Sequence, residues 1–257
     1  MKKLRLLVFS LIGLLLIPLL MGATVPWSTN GPCGGGNDAN AMLLMHFNGA
    51  TTTFTDSSSL AHTMAGDGTV SQETSVYKYG GSAVHFDGSG NQYVVNTEAL
   101  PYTNFNFGSG DFTIDAWINL DASPTKYGVI AGHVTVPNPR SWSIAVPYGT
   151  ALRFYYTTDG STDINIAKSY TFTPGVWYHV ALVRDGNTLR FFVNGQSIGT
   201  SDFTGVTIFP SFEGCYIGRF GSYASADDSF KGYVDELRVS NVARWTSNFI
   251  PYSCEYN

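Results

Sequence analysis

Four side chains in this 257-residue chain have the types and spacing of a binding site: Asp115, Trp117, Tyr155 and His179. A flat aromatic ring stacks on the C–H face of a sugar, and a carboxylate or imidazole beside it takes up hydroxyls. Asp115 and Trp117 are two residues apart in FTIDAWINL, residues 112–120, so as a strand they share one face. Four loop residues, Tyr127, His133, Tyr148 and Tyr223, form a second candidate set, since binding groups gather on loops. Catalysis has weaker support. Retaining glycoside hydrolysis needs two carboxylates about 5–5.5 Å apart across one bond. The best acidic pair is Asp235-Glu236 in YVDELR, and adjacent residues of a regular strand point to opposite faces. His179 has no identifiable partner for general-base work, and neither a Ser/His/Asp arrangement nor a zinc-ligand spacing occurs.

These residues must be held by strands. Short apolar-alternating runs at 42–48, 83–87, 93–95, 112–120, 128–133, 142–147, 151–157, 177–185, 188–194, 198–200, 215–219 and 232–240 alternate with Gly/Asp/Asn/Ser turns. The clearest is VWYHVALVRDGNTLRFFVNGQSIGT, residues 176–200, where Asp185-Gly186-Asn187 and Asn194-Gly195 permit tight reversals. Twelve such runs without intervening helices predict two antiparallel sheets face to face, or a barrel. Residues 240–249 have room for one helical turn. Alternation puts Phe112, Ile114, Ala116, Ile118 and Leu120 in the core. The opposite face is expected to mix Asp115, Trp117, Tyr155, His179, Arg153, Arg190 and Phe192 on one sheet.

The chain opens with Lys2, Lys3 and Arg5 followed by an apolar run to Leu20 and the small residues Met21-Gly22-Ala23. That is the pattern of a cleaved export signal, residues 1–23, and the apolar run is short of the roughly 20 residues a spanning helix needs. Residues 24–40, with Gly34-Gly35-Gly36, read as a flexible linker before a single domain over 41–257. Without the three signal cations, 11 basic residues face 19 acidic ones. Such a balance offers no footprint for nucleic acid or anionic lipid, and after signal cleavage no membrane insertion is expected. Secretion makes a disulfide the expectation for the three cysteines. Cys33–Cys254 would clamp the two ends of the domain, and Cys215–Cys254 is the rival pairing.

Four ordered segments, SAVHFDGSGNQYV (82–94), GDFTIDAWINL (110–120), the WYHVA hairpin and FKGYVDELRVSNVARWTSNF (230–249), resemble the laminin-G-like branch of the concanavalin A-like lectin/glucanase superfamily. The resemblance implies an all-β jelly-roll sandwich of two antiparallel sheets, about 12–14 strands. It implies a structural Ca²⁺ site carried over to Asp87 and Asp235, with Asn48 as a neutral contributor where relatives have Asp. His179 in the family pattern is read as part of the sheet, and Trp117 as a side chain under a covering loop. The DELR segment is similar to the Arg-x-Glu-Leu-Arg strand of alginate lyases, but Val234 stands where the first arginine belongs. The resulting expectation is a secreted, non-catalytic module binding a glycan or a cell-surface protein. The alternative is a structural or protein-interaction component of a surface or phage assembly.

Overall fold

The computed structural model describes residues 35–99, 101–122, 124, 127–134, 139–221 and 226–257. Fifteen strands follow one another: β1 (Ala41–Met45), β2 (Met64–Asp67), β3 (Ser71–Glu73), β4 (Ala83–Asp87), β5 (Tyr93–Asn96), β6 (Phe112–Leu120), β7 (Val129–His133) and β8 (Trp142–Ala145), then β9 (Ala151–Tyr156), β10 (Ile164–Ser169), β11 (Trp177–Asp185), β12 (Thr188–Val193), β13 (Gln196–Asp202), β14 (Cys215–Ile217) and β15 (Lys231–Ser240). They form two antiparallel sheets. The first runs β13-β12-β11-β6-β15-β4-β3 with β1 added to β15, and the second runs β10-β9-β8-β7-β14-β5-β2. This is the expected sandwich. Three strands, β2, β3 and β10, were not expected, because they are short or carry few buried side chains.

The main core cluster lies between the sheets, and a smaller one of Ala181, Val183 and Phe192 packs against Ala243, Trp245 and Phe249. Phe112, Ile114, Ala116, Ile118 and Leu120 of β6 meet Trp142, Ile144, Leu152 and Phe154 of the facing sheet. Side chains on the other side of each strand therefore point away from the core, and those two outer faces are the places to look for function. The hairpins form as their turn residues dictate. Asn194 and Gly195 both have positive φ, 49° and 72°, and Gly186 has φ 57°. Gly195 is required twice over: a Cβ there would lie 2.0 Å from the Phe249 carbonyl oxygen of the chain packed above it.

β15 explains why one face closes. Its first half pairs with β4 (Lys231↔Asp87 to Val234↔Val84) and its second half with β1 (Leu237↔Met45 to Ser240↔Ala41). The register against β6 shifts between Asp235 and Arg238, where Glu236 adopts φ 48°. This bulge breaks the alternation assumed from sequence. Leu237 enters the core, while the Asp235 and Glu236 carboxyls both meet chain lying outside the sheet: Asp235 Oδ2 accepts the Lys78 and Tyr79 N–H groups, and Glu236 Oε2 accepts the Tyr256 N–H. The expectation of opposite faces is overturned.

Residues 241–257 run back across this sheet without the expected helical turn. They are tied down by Thr113 Oγ1 donating to the Val242 carbonyl (2.7 Å), by the Phe249 N–H donating to the Gly195 carbonyl (2.9 Å) and by Asn248 Oδ1 accepting the Ser197 N–H. Residues 35–40, read from sequence as the end of a loose linker, are also pinned. The Gly36 carbonyl accepts from Arg238 Nη1, Asn37 donates to the Ser57 carbonyl, and Asp38 pairs with Arg244.

Candidate functional site

Asp115, Trp117 and His179 are brought together as expected, on the outer side of the first sheet, where His179 and Trp117 are direct cross-strand partners. They are sealed there. Asp115 and His179 are fully buried and Trp117 is 8% exposed. Arg238 grips Asp115 through Nε (3.0 Å) and Nη2 (3.1 Å), Tyr256 donates its hydroxyl to Asp115 Oδ2 (2.6 Å), and His179 Nε2 lies 3.1 Å from the Tyr256 oxygen. Above them Trp245 and Phe249 stack at 3.9 Å, each ring 5.7 Å from the imidazole of His179. Burial pushes the Asp115 carboxyl up, but the Arg238 charge and the His179 contact outweigh it and hold it well below the usual carboxylate range. The same burial, next to Asp115, pushes the Tyr256 phenol well above its ordinary value. Trp117 is covered by the loop before β4, with Lys78 Nζ 4.0 Å from its ring and Tyr79 edge-on at 5.9 Å.

Tyr155 and Arg153 are not part of this group. Both lie on β9, in the second sheet, and face outward from it, which corrects the expectation of one mixed face. Tyr155 sits instead in an open cleft of about 190 Å³, lined by Tyr127, Val129, Tyr155, Asp163, Phe220 and Asp228. Phe220 meets Tyr155 edge-on at 6.2 Å. Tyr127, one of the loop candidates, is 37% exposed. Its N–H donates to the Asp227 carbonyl (2.8 Å), tying that wall to the segment carrying Asp228. Asp163 is set by the turn before β10: Asp159 Oδ1 accepts the Ser161 and Thr162 N–H groups, the Arg140 N–H reaches the Gly160 carbonyl, and the Arg140 side chain pairs with Asp163. Arg153 Nη1 donates to the Tyr155 hydroxyl (2.6 Å). Burial raises the Tyr155 phenol, a shift that the Arg153 hydrogen bond and charge oppose and the neighbouring Asp228 charge reinforces. Beneath the cleft the outward side chains of β8 are small, and the Ser141 and Ser143 hydroxyls are buried without a hydrogen-bond partner.

The remaining loop candidates do not join this cleft. His133 is buried in the core beside Phe105 and Trp142, with Nε2 3.2 Å from both Asn106 Oδ1 and the Ser211 carbonyl, and burial pushes it down to about 4. Tyr148 is 56% exposed on a short turn, and Tyr223 lies outside the described residues. Phe220, Asp163 and Asp228 had no signal in sequence beyond lying next to turns.

The residues assigned to Ca²⁺ are not assembled as a set. Asp87 pairs with Lys231 while Asp235 is four residues further along β15, about 13 Å away at strand rise. Asp87 is exposed and accepts the Ser89 N–H in its own turn. Asp235 is buried, and burial pushes it up to about 7 against the two N–H groups it accepts. Its Oδ1 has no partner. Asn48 lies beside Gly80, whose Cβ position is 2.7 Å from the Asn48 Cβ. Among the described residues no group of three or more His, Cys, Asp and Glu could hold a metal ion. The trio therefore does not fit a common ion, which asks for six to eight oxygens at 2.3–2.6 Å. Of the cysteines, Cys215 is a buried free thiol pushed up to about 12, which removes the Cys215–Cys254 pairing, and Cys33 lies outside the described residues.

With two such sheets and this strand order in place, sequence comparison is decisive: the profile of Laminin_G_3, of the concanavalin A-like lectin/glucanases superfamily, matches residues 80–247. The chain belongs to this family. This laminin-G-like chain is 25% identical over 178 residues to human pappalysin-1 and 24% identical to the mouse protein, covering 63% of the chain but 10% of either relative. Among solved structures, it is similar to the binding domain of Paraclostridial Mosquitocidal Protein 1 (TM-score 0.61, 14% identity, 79% of this chain and 49% of that one). It is also similar to the binding domain of botulinum neurotoxin DC in complex with rat synaptotagmin II (0.61, 18%, 81% and 49%) and in complex with SialylT (0.60, 18%, 80% and 49%). At these identities the likeness is one of fold, and the chain spans about half the length of those structures.

Proposed function

We propose that the protein is an extracellular, non-catalytic binding module that takes a glycan in the cleft of Tyr127, Tyr155 and Phe220. The observation that carries this reading is the contrast between faces: the aromatic and polar groups of the second sheet stand open, whereas Asp115, Trp117 and His179 are sealed. The exposed Tyr127 ring and the half-buried Tyr155 and Phe220 rings, beside carboxylates, supply the stacking plane and hydroxyl acceptors that a saccharide needs. Structural neighbours that are binding domains, one of them in complex with SialylT, support the same reading. The solved structures the chain resembles are binding domains, which supports the non-catalytic part of this reading.

The neighbour in complex with synaptotagmin favours a second reading, a protein ligand on a cell surface or within a surface or phage assembly. A glycan array run with and without EDTA tests the first. We expect binding to at least one glycan class, resistant to EDTA and lost in Tyr155→Ala. A blank array, or binding indifferent to that substitution, contradicts it. Export through the 1–23 segment and a Cys33–Cys254 clamp belong to the same proposal, checked by N-terminal sequencing of the secreted protein and non-reducing peptide mapping. A structural Ca²⁺ ion at Asp235 is a separate proposal supported by its partnerless oxygen. Calorimetric titration of Ca²⁺ into the wild type and Asp235→Asn tests it.

A further inference from the structure

We propose that this cleft recognises the acetamido group of a terminal N-acetylhexosamine; the inference rests on the glycan-binding reading above. An acetamido group offers three features side by side: a carbonyl acceptor, an N–H donor and an apolar methyl. The cleft carries a counterpart to each. Arg153 Nη1 donates to the Tyr155 hydroxyl oxygen at 2.6 Å, and an arginine has no lone pair with which to accept. The phenol proton is therefore turned away from Arg153, and among the described residues the hydroxyl makes no other hydrogen bond. Burial raises this phenol in spite of Arg153, so the proton is held at neutral pH and is there to be donated. A ligand carbonyl supplies the missing acceptor.

The acetamido N–H meets Asp163, which lines the same cleft. Arg140 holds that carboxylate through Oδ2, and an ionised carboxylate has about four lone-pair sites, so room is left for a neutral donor. This contact asks for no net negative charge on the rim. Buried Val129 and half-buried Phe220 give the methyl an apolar wall. At about 190 Å³ the cleft is smaller than the roughly 300–1,000 Å³ of drug-sized sites, which suits one sugar residue. A plain hexose carries a single hydroxyl at that carbon in place of the carbonyl, the N–H and the methyl.

The test uses the full chain and probes matched except at this group: N,N′-diacetylchitobiose, cellobiose and the deacetylated chitosan dimer, with terminal N-acetylgalactosamine against terminal galactose on one core as a second set. In at least one set we expect the acetylated member to bind about tenfold tighter than the plain hexose, and tighter than the free amine. Tyr155→Phe keeps the ring and removes the donor; it should bring acetylated and plain members within about threefold, chiefly by weakening the former. The probe comparison needs no variant, so it stands even where the substitution disturbs Arg153. Equal binding of acetylated and plain members, tightest binding of the free amine, or a preference unchanged in Tyr155→Phe overturns this inference and leaves the glycan reading intact. No binding of any probe, together with a blank array, overturns both.

Discussion

On the first sheet the outward side chains Asp115, Trp117 and His179 lie beneath residues 241–257 and the loop before β4, whereas on the second sheet the half-buried Tyr155 ring borders an open cleft. Both faces carry aromatic rings, arginines and carboxylates, so composition does not separate them. What separates them is the bulge in β15. It falls between the stretches of β15 paired with β4 and with β1, and there the Asp235 and Glu236 carboxyls accept backbone N–H groups of two crossing segments. Among the described residues of the second sheet no bulge places two adjacent acids in this way, and the outward side chains of β8 are small. Polar chemistry on the first sheet became structure, and on the second it remained available.

The comparison can be broken most forcefully at Asp115. Removing it in Asp115→Ala strands the buried Arg238 guanidinium and should cost about 3–5 kcal/mol in urea unfolding. The apolar double replacement Asp115→Leu/Arg238→Met should recover most of that loss. If the single variant proves near neutral, the sealed cluster is not what fastens the tail. Next in size is the acid limb. Because the folded Asp115 carboxyl is held below its ordinary range, its stabilisation is complete above about pH 4 and is lost as pH falls below that. Unfolding free energies between pH 5 and pH 2.5 should drop steeply in the wild type and less steeply in the double replacement; parallel profiles would contradict the assignment.

Trp245→Ala should cost roughly 1–3 kcal/mol, since this half-buried ring stacks on Phe249 over His179. Amide exchange should rise first in residues 241–257; uniform exchange across both sheets would argue that the tail is not a separable cover. The smallest stability effect is expected at Tyr155→Ala, under about 1 kcal/mol, because that ring borders an open cleft.

Much of the fold was legible in the sequence, because period-2 alternation and Asn-Gly or Asp-Gly turns are local signals. The 176–200 hairpins and the core face of β6 follow from them directly. β10 was not legible, since an edge strand with exposed side chains, INIAKS, lacks a buried stripe. The grouping of Asp115, Trp117 and His179 was foreseen from alternation, and a cover over Trp117 from the family resemblance. Assigning Tyr155 to the same face failed because alternation gives the side of a strand but not the sheet that holds it. The roles of Arg238 and Tyr256 were hidden for a related reason: a bulge and a 123-residue separation bring Arg238 onto Asp115.

The central claim is that ligand binding belongs to the open sheet. Titration of the best array glycan into Tyr155→Ala and into the smaller apolar Trp117→Leu, each verified as folded by circular dichroism, tests it directly. Affinity should fall at least about tenfold in Tyr155→Ala and stay within about twofold of wild type in Trp117→Leu. The reverse pattern, binding lost with Trp117 and kept without Tyr155, would place the site on the sheet that the tail covers.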